Sequence, residues 1–317
     1  FWGMMTFVRQ LDWLRRYKYT WAFAGVLLMV ITFMFGQEIN GARQWLDLGI
    51  VTIQPDEIVK LILVVFLAAY LDDHRAAINT VWRVGPLNLP PIPYLLPMVL
   101  MWLIAVGTVV LQNNLGSALL FFGIFLVMLY VATGRTLYVV VGSASFAAAV
   151  YVAYQLFGRI ADRVQNWINP WVDPWGTGLQ PIQSDYAMAA GGLFGTGLGH
   201  GYPQFIPVVE TDYIFAVIGE ELGLLGTIGV LCLYLLLIGR GYLIALRAED
   251  GFARLLATGL TTIIALQTLI IVGGVVRLIP LTGVTLPFIS AGGSSLLANF
   301  IIVALLLRTS DPEWRRG

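Results

Sequence analysis

Charge is scarce in this chain. Asp, Glu, Lys and Arg make up only 11% of its 317 residues, against 58% hydrophobic residues and a mean hydropathy of +0.82. A soluble domain carries about a quarter charged residues. The shortage excludes a soluble globular protein and leaves a polytopic, all-α membrane protein as the fold class. A formal net charge of zero lacks the basic excess that a nucleic-acid partner requires. A single cysteine, Cys232, sits in an apolar run, which excludes a disulfide framework or a cysteine metal site and leaves ordinary packing. The two histidines, His74 and His200, lie far apart with no acid at ligand spacing, so neither points to a metal. No cleavable signal peptide is visible and the chain opens on Phe1 inside an apolar stretch, so a missing N-terminal piece is expected.

What the chain has in quantity is apolar runs. Residues 1–8 read as the tail of a span. Runs long enough to cross about 30 Å of hydrocarbon follow near 19–36, 56–71, 94–111, 115–133, 136–157, 224–246, 252–275 and 294–308. Two further stretches, about 186–199 and 278–292, are interrupted by Gly or Pro and too short to span. They are expected to be re-entrant or interfacial and to line a cavity. Placing the first basic turn, Arg9 to Lys18, in the cytoplasm puts 13 of the 18 Lys and Arg residues on that side. This is the asymmetry expected of cytoplasmic loops. The whole chain is one integral membrane domain, with residues 158–211 as a large extracytoplasmic loop.

The stretch Thr211–Gly226 places three carboxylates at the head of an apolar segment. A carboxylate at a bilayer boundary is costly to desolvate, so its default reading is functional. On one continuous helix, at about 100° per residue, Glu220 lies about 80° from Asp212 and Glu221 falls opposite. Only Glu220 is then placed to share a cavity with Asp212.

An outer loop around Arg43 runs into Gln54-Pro-Asp-Glu-Ile-Val-Lys60. Pro55 suits a first helical position, and Asp56 and Glu57 complement the positive end of the helix dipole. Lys60 stands three residues after Glu57 and four after Asp56, so it can pair with either on one face or snorkel outward. Arg43 can grip a phosphate or serve as an ordinary surface charge. Trp167, Trp171 and Trp175 read as interface anchors. The glycines of 191–199 permit positive φ and exposed N–H groups that can cradle an anionic or sugar ligand, although membrane hairpins favour glycine too. Ser290, Ser294 and Ser295 can bind a sugar hydroxyl, or more commonly satisfy loop backbone. Arg277 is a second outer cation.

Five runs then carry a family resemblance: Gly41 to Gly49, Gln54 to Lys60, Gly191 to Gly199, Thr211 to Glu221 and Thr282 to Ser295. Together, in this order, they resemble the SEDS family (shape, elongation, division and sporulation), which includes FtsW, RodA and SpoVE. Arg277-Leu-Ile-Pro-Leu-Thr-Gly283 looks more like the RodA branch. The resemblance implies about ten transmembrane helices in the full protein. It also implies a peptidoglycan glycosyltransferase that polymerises lipid II outside the bacterial cytoplasmic membrane during elongation, shape maintenance or division, and a class B penicillin-binding protein as partner. By match, Asp212 falls on the family's essential outer aspartate, and Glu57 and Lys60 on its acid and lysine. Asp56 stands where Ser is usual, and Asn113-Asn114 where Pro-Asp is frequent.

Joining an acceptor 4-hydroxyl to an α-linked anomeric carbon with inversion needs a base on one face and stabilisation of the leaving diphosphate on the other. Asp212 is the candidate base, with Arg43, Lys60 or Arg277 as the diphosphate cation; alternatively Asp212 holds a divalent cation, Mg or Mn. Asp56, Glu220, Ser294 and Ser295 are supporting or substrate-binding candidates. The competing classes are a precursor flippase, which needs a membrane cavity and broken helices but forms no glycosidic bond, and a non-catalytic scaffold, which needs only the spans and their exposed faces.

Overall fold

The computed structural model describes residues 12–39, 42–47, 49, 52–79, 82–84, 87–89 and 92–311. The expected span tail at 1–8, with Arg9, and the basic residues Arg315 and Arg316 lie outside the described residues. The helices are α1 (Asp12–Arg16), α2 (Lys18–Phe35), α3 (Pro55–Asp73), α4 (Arg75–Asn79), α5 (Ile92–Leu111), α6 (Leu115–Thr133), α7 (Thr136–Leu156), α8 (Gly158–Ile168), α9 (Leu179–Gly191), α10 (Val209–Asp212), α11 (Ile214–Arg247), α12 (Gly251–Val275) and α13 (Gly293–Ser310). Seven of them, among the described residues, are long and apolar enough to cross a membrane. The expected span at 56–71 is also present, as the 19-residue α3, but its five charged side chains set it apart from those seven.

The chain forms two compact units. The first comprises residues 1–140, 238–264 and 293–317. Its core is α3, which packs against α2, α6 and α13. Val64, Leu67, Ala68 and Ala69 are fully buried, and so nearly is Lys60. A helix apolar on every side is a core helix, and the charges of α3 are confined to its first two turns and its C-terminal end. At its last turn, Asp73 binds Lys18 and, at 2.7 Å, Arg15, which also reaches Asp72 at 3.1 Å. Residues 37–53, read from the sequence as plain loop, form a small antiparallel sheet of β1 (Gln37–Ile39), β2 (Ala42–Asp47) and β3 (Thr52–Ile53) in the order β1-β2-β3. Glu38 opposes Arg43 and Leu46 opposes Ile53. A second hairpin pairs β4 (Trp82–Val84) with β5 (Leu87–Leu89).

The second unit comprises residues 141–237 and 265–292. The expected extracytoplasmic loop at 158–211 is largely helical here, with α8 beginning two residues after α7 ends and α9 following a short 3₁₀ turn at Pro170–Val172. α11 is broken at Gly223, whose φ of 68° and ψ of −168° lie outside any helix. The break frees backbone groups that a bilayer would leave unsatisfied, and the glycine-rich loop supplies their partners. Thr196 and Gly197 donate their N–H groups to the carbonyls of Glu220 and Glu221 at 2.9 and 3.0 Å. Leu224 and Leu225 donate in return to Gly192 and Leu193 at 2.9 and 3.2 Å. Loop and break are therefore one piece of structure. A Cβ on Gly195 would sit 2.1 Å from the Glu221 oxygen, so only glycine permits this approach.

Candidate active site

Asp212 does not begin α11. It ends α10, a four-residue turn entered through Val208 at φ 55° and closed by Tyr213 at φ −122°. The following segment, 282–291, holds that turn in place. Ser290 donates its hydroxyl to the Thr211 carbonyl at 2.6 Å and accepts from the Leu286 N–H at 2.8 Å, while the Ala291 N–H reaches Glu210 O at 2.9 Å. Tyr234, midway along α11, donates to the Pro287 carbonyl. The loop-satisfying reading of Ser290 is the observed one.

Asp212 faces a cavity of about 140 Å³ lined by Arg163, Trp167, Gln180, Tyr213 and Arg277 among others. Arg163, on α8, donates to the Thr282 carbonyl at 3.0 Å. A Cβ built on Gly283 would lie 3.5 Å from Asp212 Oδ2 and 4.0 Å from Arg163 Nη2, so the carboxylate and guanidinium converge on one point. Burial raises the Asp212 pKa, while the Thr211 hydroxyl and Arg163 pull it back. Burial lowers that of Arg163, opposed by Asp212. A buried carboxylate with a raised pKa, facing a cavity, is a candidate general base.

Arg277 also lines the cavity, at a left-handed φ of 58°. Nη1 donates to Asp185 and Nη2 to the Trp167 carbonyl, both at 3.0 Å, and Trp167 Nε1 returns a bond to Arg277 O at 2.9 Å. Arg277 therefore braces α8 and α9, and Trp167, tied to it through Nε1, keeps an exposed ring. Trp171 and Trp175 are exposed, as an interface reading requires.

Glu220 does not share this cavity. One helix from Asp212 to Glu220 would bring the two together, but the chain breaks it at Tyr213. Glu220 Oε1 instead accepts the Tyr202 N–H at 3.0 Å, and Oε2 is buried without a hydrogen-bond partner. The glycine-rich loop is likewise no ligand cradle: the N–H groups of Gly195, Thr196 and Gly197 are spent on carbonyls of the chain itself.

The remaining candidates belong to the first unit. Lys60 pairs with Glu57, three residues before it, with side-chain exposures of 2% and 7%. Asp56 goes elsewhere: its Oδ2 accepts from Asn114 Nδ2 at 2.8 Å, from Gln54 Nε2 at 3.3 Å and from the Ser117 hydroxyl. Asn114 also caps α6, accepting the Ser117 N–H at 3.2 Å. Ser294 Oγ accepts the Gln54 N–H at 3.0 Å, and buried Ser295 meets Asn299 at 3.4 Å. Arg43 is exposed on β2, 3.3 Å from Glu38.

Arg163 is the residue that sequence reading missed. Arg163, Asn166 and Trp167 share one face of α8 at i, i+3 and i+4, a periodicity hidden when 158–211 is read as loop. No cluster of three metal-ligating side chains occurs among the described residues, and the charged neighbour Asp212 converges on is a guanidinium. Asp212 alone would hold a divalent ion only together with phosphate oxygens of a substrate.

The comparisons with known proteins agree with this architecture. The FtsW/RodA/SpoVE family model, described as cell cycle protein, matches residues 1–313. Peptidoglycan glycosyltransferase RodA of Mycobacterium tuberculosis is 43% identical over 316 residues, covering 98% of this chain and 67% of its relative. Stage V sporulation protein E of Bacillus subtilis is 37% identical, over 96% and 82%. A chain of a peptidoglycan synthase complex, solved for its coordination of polymerization and crosslinking, superposes with a TM-score of 0.77 at 31% identity, over 96% of this chain and 85% of that one. The chain belongs to the FtsW/RodA/SpoVE family and has its all-α polytopic membrane fold.

Proposed function

We propose that Asp212 is the base of a glycosyl transfer that polymerises lipid II at the outer face of the bacterial cytoplasmic membrane. The protein is a peptidoglycan glycosyltransferase, as its RodA and FtsW relatives are named. The observation that carries the site reading is a raised-pKa carboxylate converging with a guanidinium at a cavity between segments of one compact unit. Asp212 takes the proton of the acceptor 4-hydroxyl as that oxygen bonds to the anomeric carbon. The anomeric carbon–oxygen bond to the diphosphate breaks on the opposite face, giving inversion. Arg163, beside Asp212 on the side of the base, tunes the basicity of that carboxylate, while the diphosphate leaves on the far face.

At about 140 Å³ the cavity holds roughly five waters. That is under half of the ~300 Å³ at which ligand pockets begin. It suits the reacting atoms alone, with the rest of a lipid-anchored substrate outside it. A class B penicillin-binding protein supplies crosslinking; the similar chain of a synthase complex that coordinates polymerization and crosslinking supports this reading. The test is purified protein with labelled lipid II. Wild type forms glycan polymer; Asp212→Asn elutes normally and loses activity by orders of magnitude. Polymer from Asp212→Asn at near wild-type rate rejects the base, and no polymer from wild type favours a flippase or scaffold.

A further inference from the structure

We propose that the glycine-rich loop 191–199 is a rigid wedge seated among the acyl chains of the leaflet nearest Asp212, with Phe194 and Leu198 as its inserted side chains. Depth follows from α11. Past the break its uncharged helix is residues 224–239, which at 1.5 Å per residue is about 24 Å, somewhat short of the ~30 Å of bilayer hydrocarbon. With the long Arg240 side chain snorkelling to one surface, Gly223 falls at the hydrocarbon margin on the other, beside Glu221.

The loop is tied to that level. Its carbonyls at Gly192 and Leu193 accept the N–H groups of Leu224 and Leu225, the first two residues past the break. Phe194 and Leu198 are 77% and 74% exposed, and Leu224 and Leu225 beside them are exposed as well. Residues 186–209 contain no Asp, Glu, Lys or Arg, so the loop lacks the charged rim that a water-facing or protein-facing patch carries. Backbone groups here are satisfied by the chain itself, which is the condition for non-helical backbone at membrane depth. Immersing these side chains fixes the height of the Gly223 break, and with it the Glu220–Tyr202 contact, relative to the membrane surface.

The lone cysteine makes the test direct. In a Cys232→Ala background, a nitroxide is attached to Phe194→Cys and, separately, to Leu198→Cys, and each protein is reconstituted in phosphatidylglycerol–phosphatidylethanolamine vesicles. Collision with oxygen, which partitions into hydrocarbon, is compared with collision with a water-soluble nickel chelate. Leu235→Cys, exposed in mid-span, and Glu249→Cys, exposed in the charged turn between α11 and α12, serve as hydrocarbon and water references. The wedge predicts oxygen-to-nickel ratios at 194 and 198 several-fold above that of 249 and approaching that of 235. Ratios equal to that of 249 overturn it, and so does low collision with both reagents, which marks a protein-covered surface. Retained lipid II polymerisation shows that a labelled protein is folded; if one label fails this check, the other decides.

Discussion

Removing Lys60 tests whether the buried pair in α3 is an ion pair in the energetic sense. The Glu57 and Lys60 side chains are 7% and 2% exposed, so neither charge is screened by water. Lys60→Met leaves the Glu57 carboxylate in that environment with no cation, and breaking a buried pair costs about 3–5 kcal/mol. Glu57→Gln alone removes the carboxylate that Lys60 pairs with. The double variant strands neither charge, so the cycle carries an interaction energy at the upper end of the ~0.5–3 kcal/mol seen for contacting residues. Asp56→Asn combined with Lys60→Met shows a smaller coupling, because Asp56 Oδ2 is already held by Asn114, Gln54 and Ser117. The assay is reversible unfolding of detergent-solubilised protein in mixed micelles, with all four proteins of each cycle measured together. Additivity of Lys60→Met with Glu57→Gln refutes the pairing. Equal coupling to Asp56 refutes the partition of the two acids seen in the structure.

Three further outcomes follow from the geometry. Arg163 lowers the pKa of Asp212; activity rises with pH as the base ionises, so Arg163→Met moves that acidic limb to higher pH while Arg163→Lys largely restores it. An unmoved limb in Arg163→Met removes the electrostatic link. Asn114→Asp sets a carboxylate where an amide now donates to Asp56 at 2.8 Å, and the chain loses about 1–3 kcal/mol of stability. Asp56→Ser in the same chain recovers it, and a failed rescue by thermal shift denies that the two positions act as one acid–amide couple. Gly195→Ala, at φ 82° and against the Glu221 carbonyl, costs about 1–2 kcal/mol for the left-handed backbone before any clash is counted. Hydrogen exchange at Leu224 and Leu225 rises with it, and wild-type protection there sinks the loop–break coupling.

Much of the membrane architecture was legible because hydropathy and length alone define a span. The eight expected spans all appear as helices, including 56–71, whose charges lie in the first two turns and at the C-terminal end of α3. The irregular stretch at 278–292 was legible from Pro280, Pro287 and its glycines, which no lipid-exposed helix tolerates. What sequence could not carry was partnership. Lys60 stands at helical spacing from both Asp56 and Glu57, and only the approach of α6, bringing Asn114 and Ser117, assigns Asp56 elsewhere. The sheet at 37–53 was invisible for a similar reason: a two-residue strand such as Thr52–Ile53 has no period to read.

Asp212 and Glu220 show why helix breaks matter here. On one uninterrupted helix the two carboxylates would stand about 80° apart and compete for the same surroundings. The turn at Tyr213 instead delivers Asp212 to Arg163 and the cavity, and the break at Gly223 lets the loop return so that the Tyr202 N–H meets Glu220. Each acid thereby acquires its own surroundings, Asp212 a cavity lined by Arg163 and Glu220 a main-chain amide. The first is open to a substrate hydroxyl, whereas the second is closed off by the loop that satisfies the break. The same two breaks that a bilayer makes expensive are what separate a carboxylate placed for proton transfer from one placed for structure.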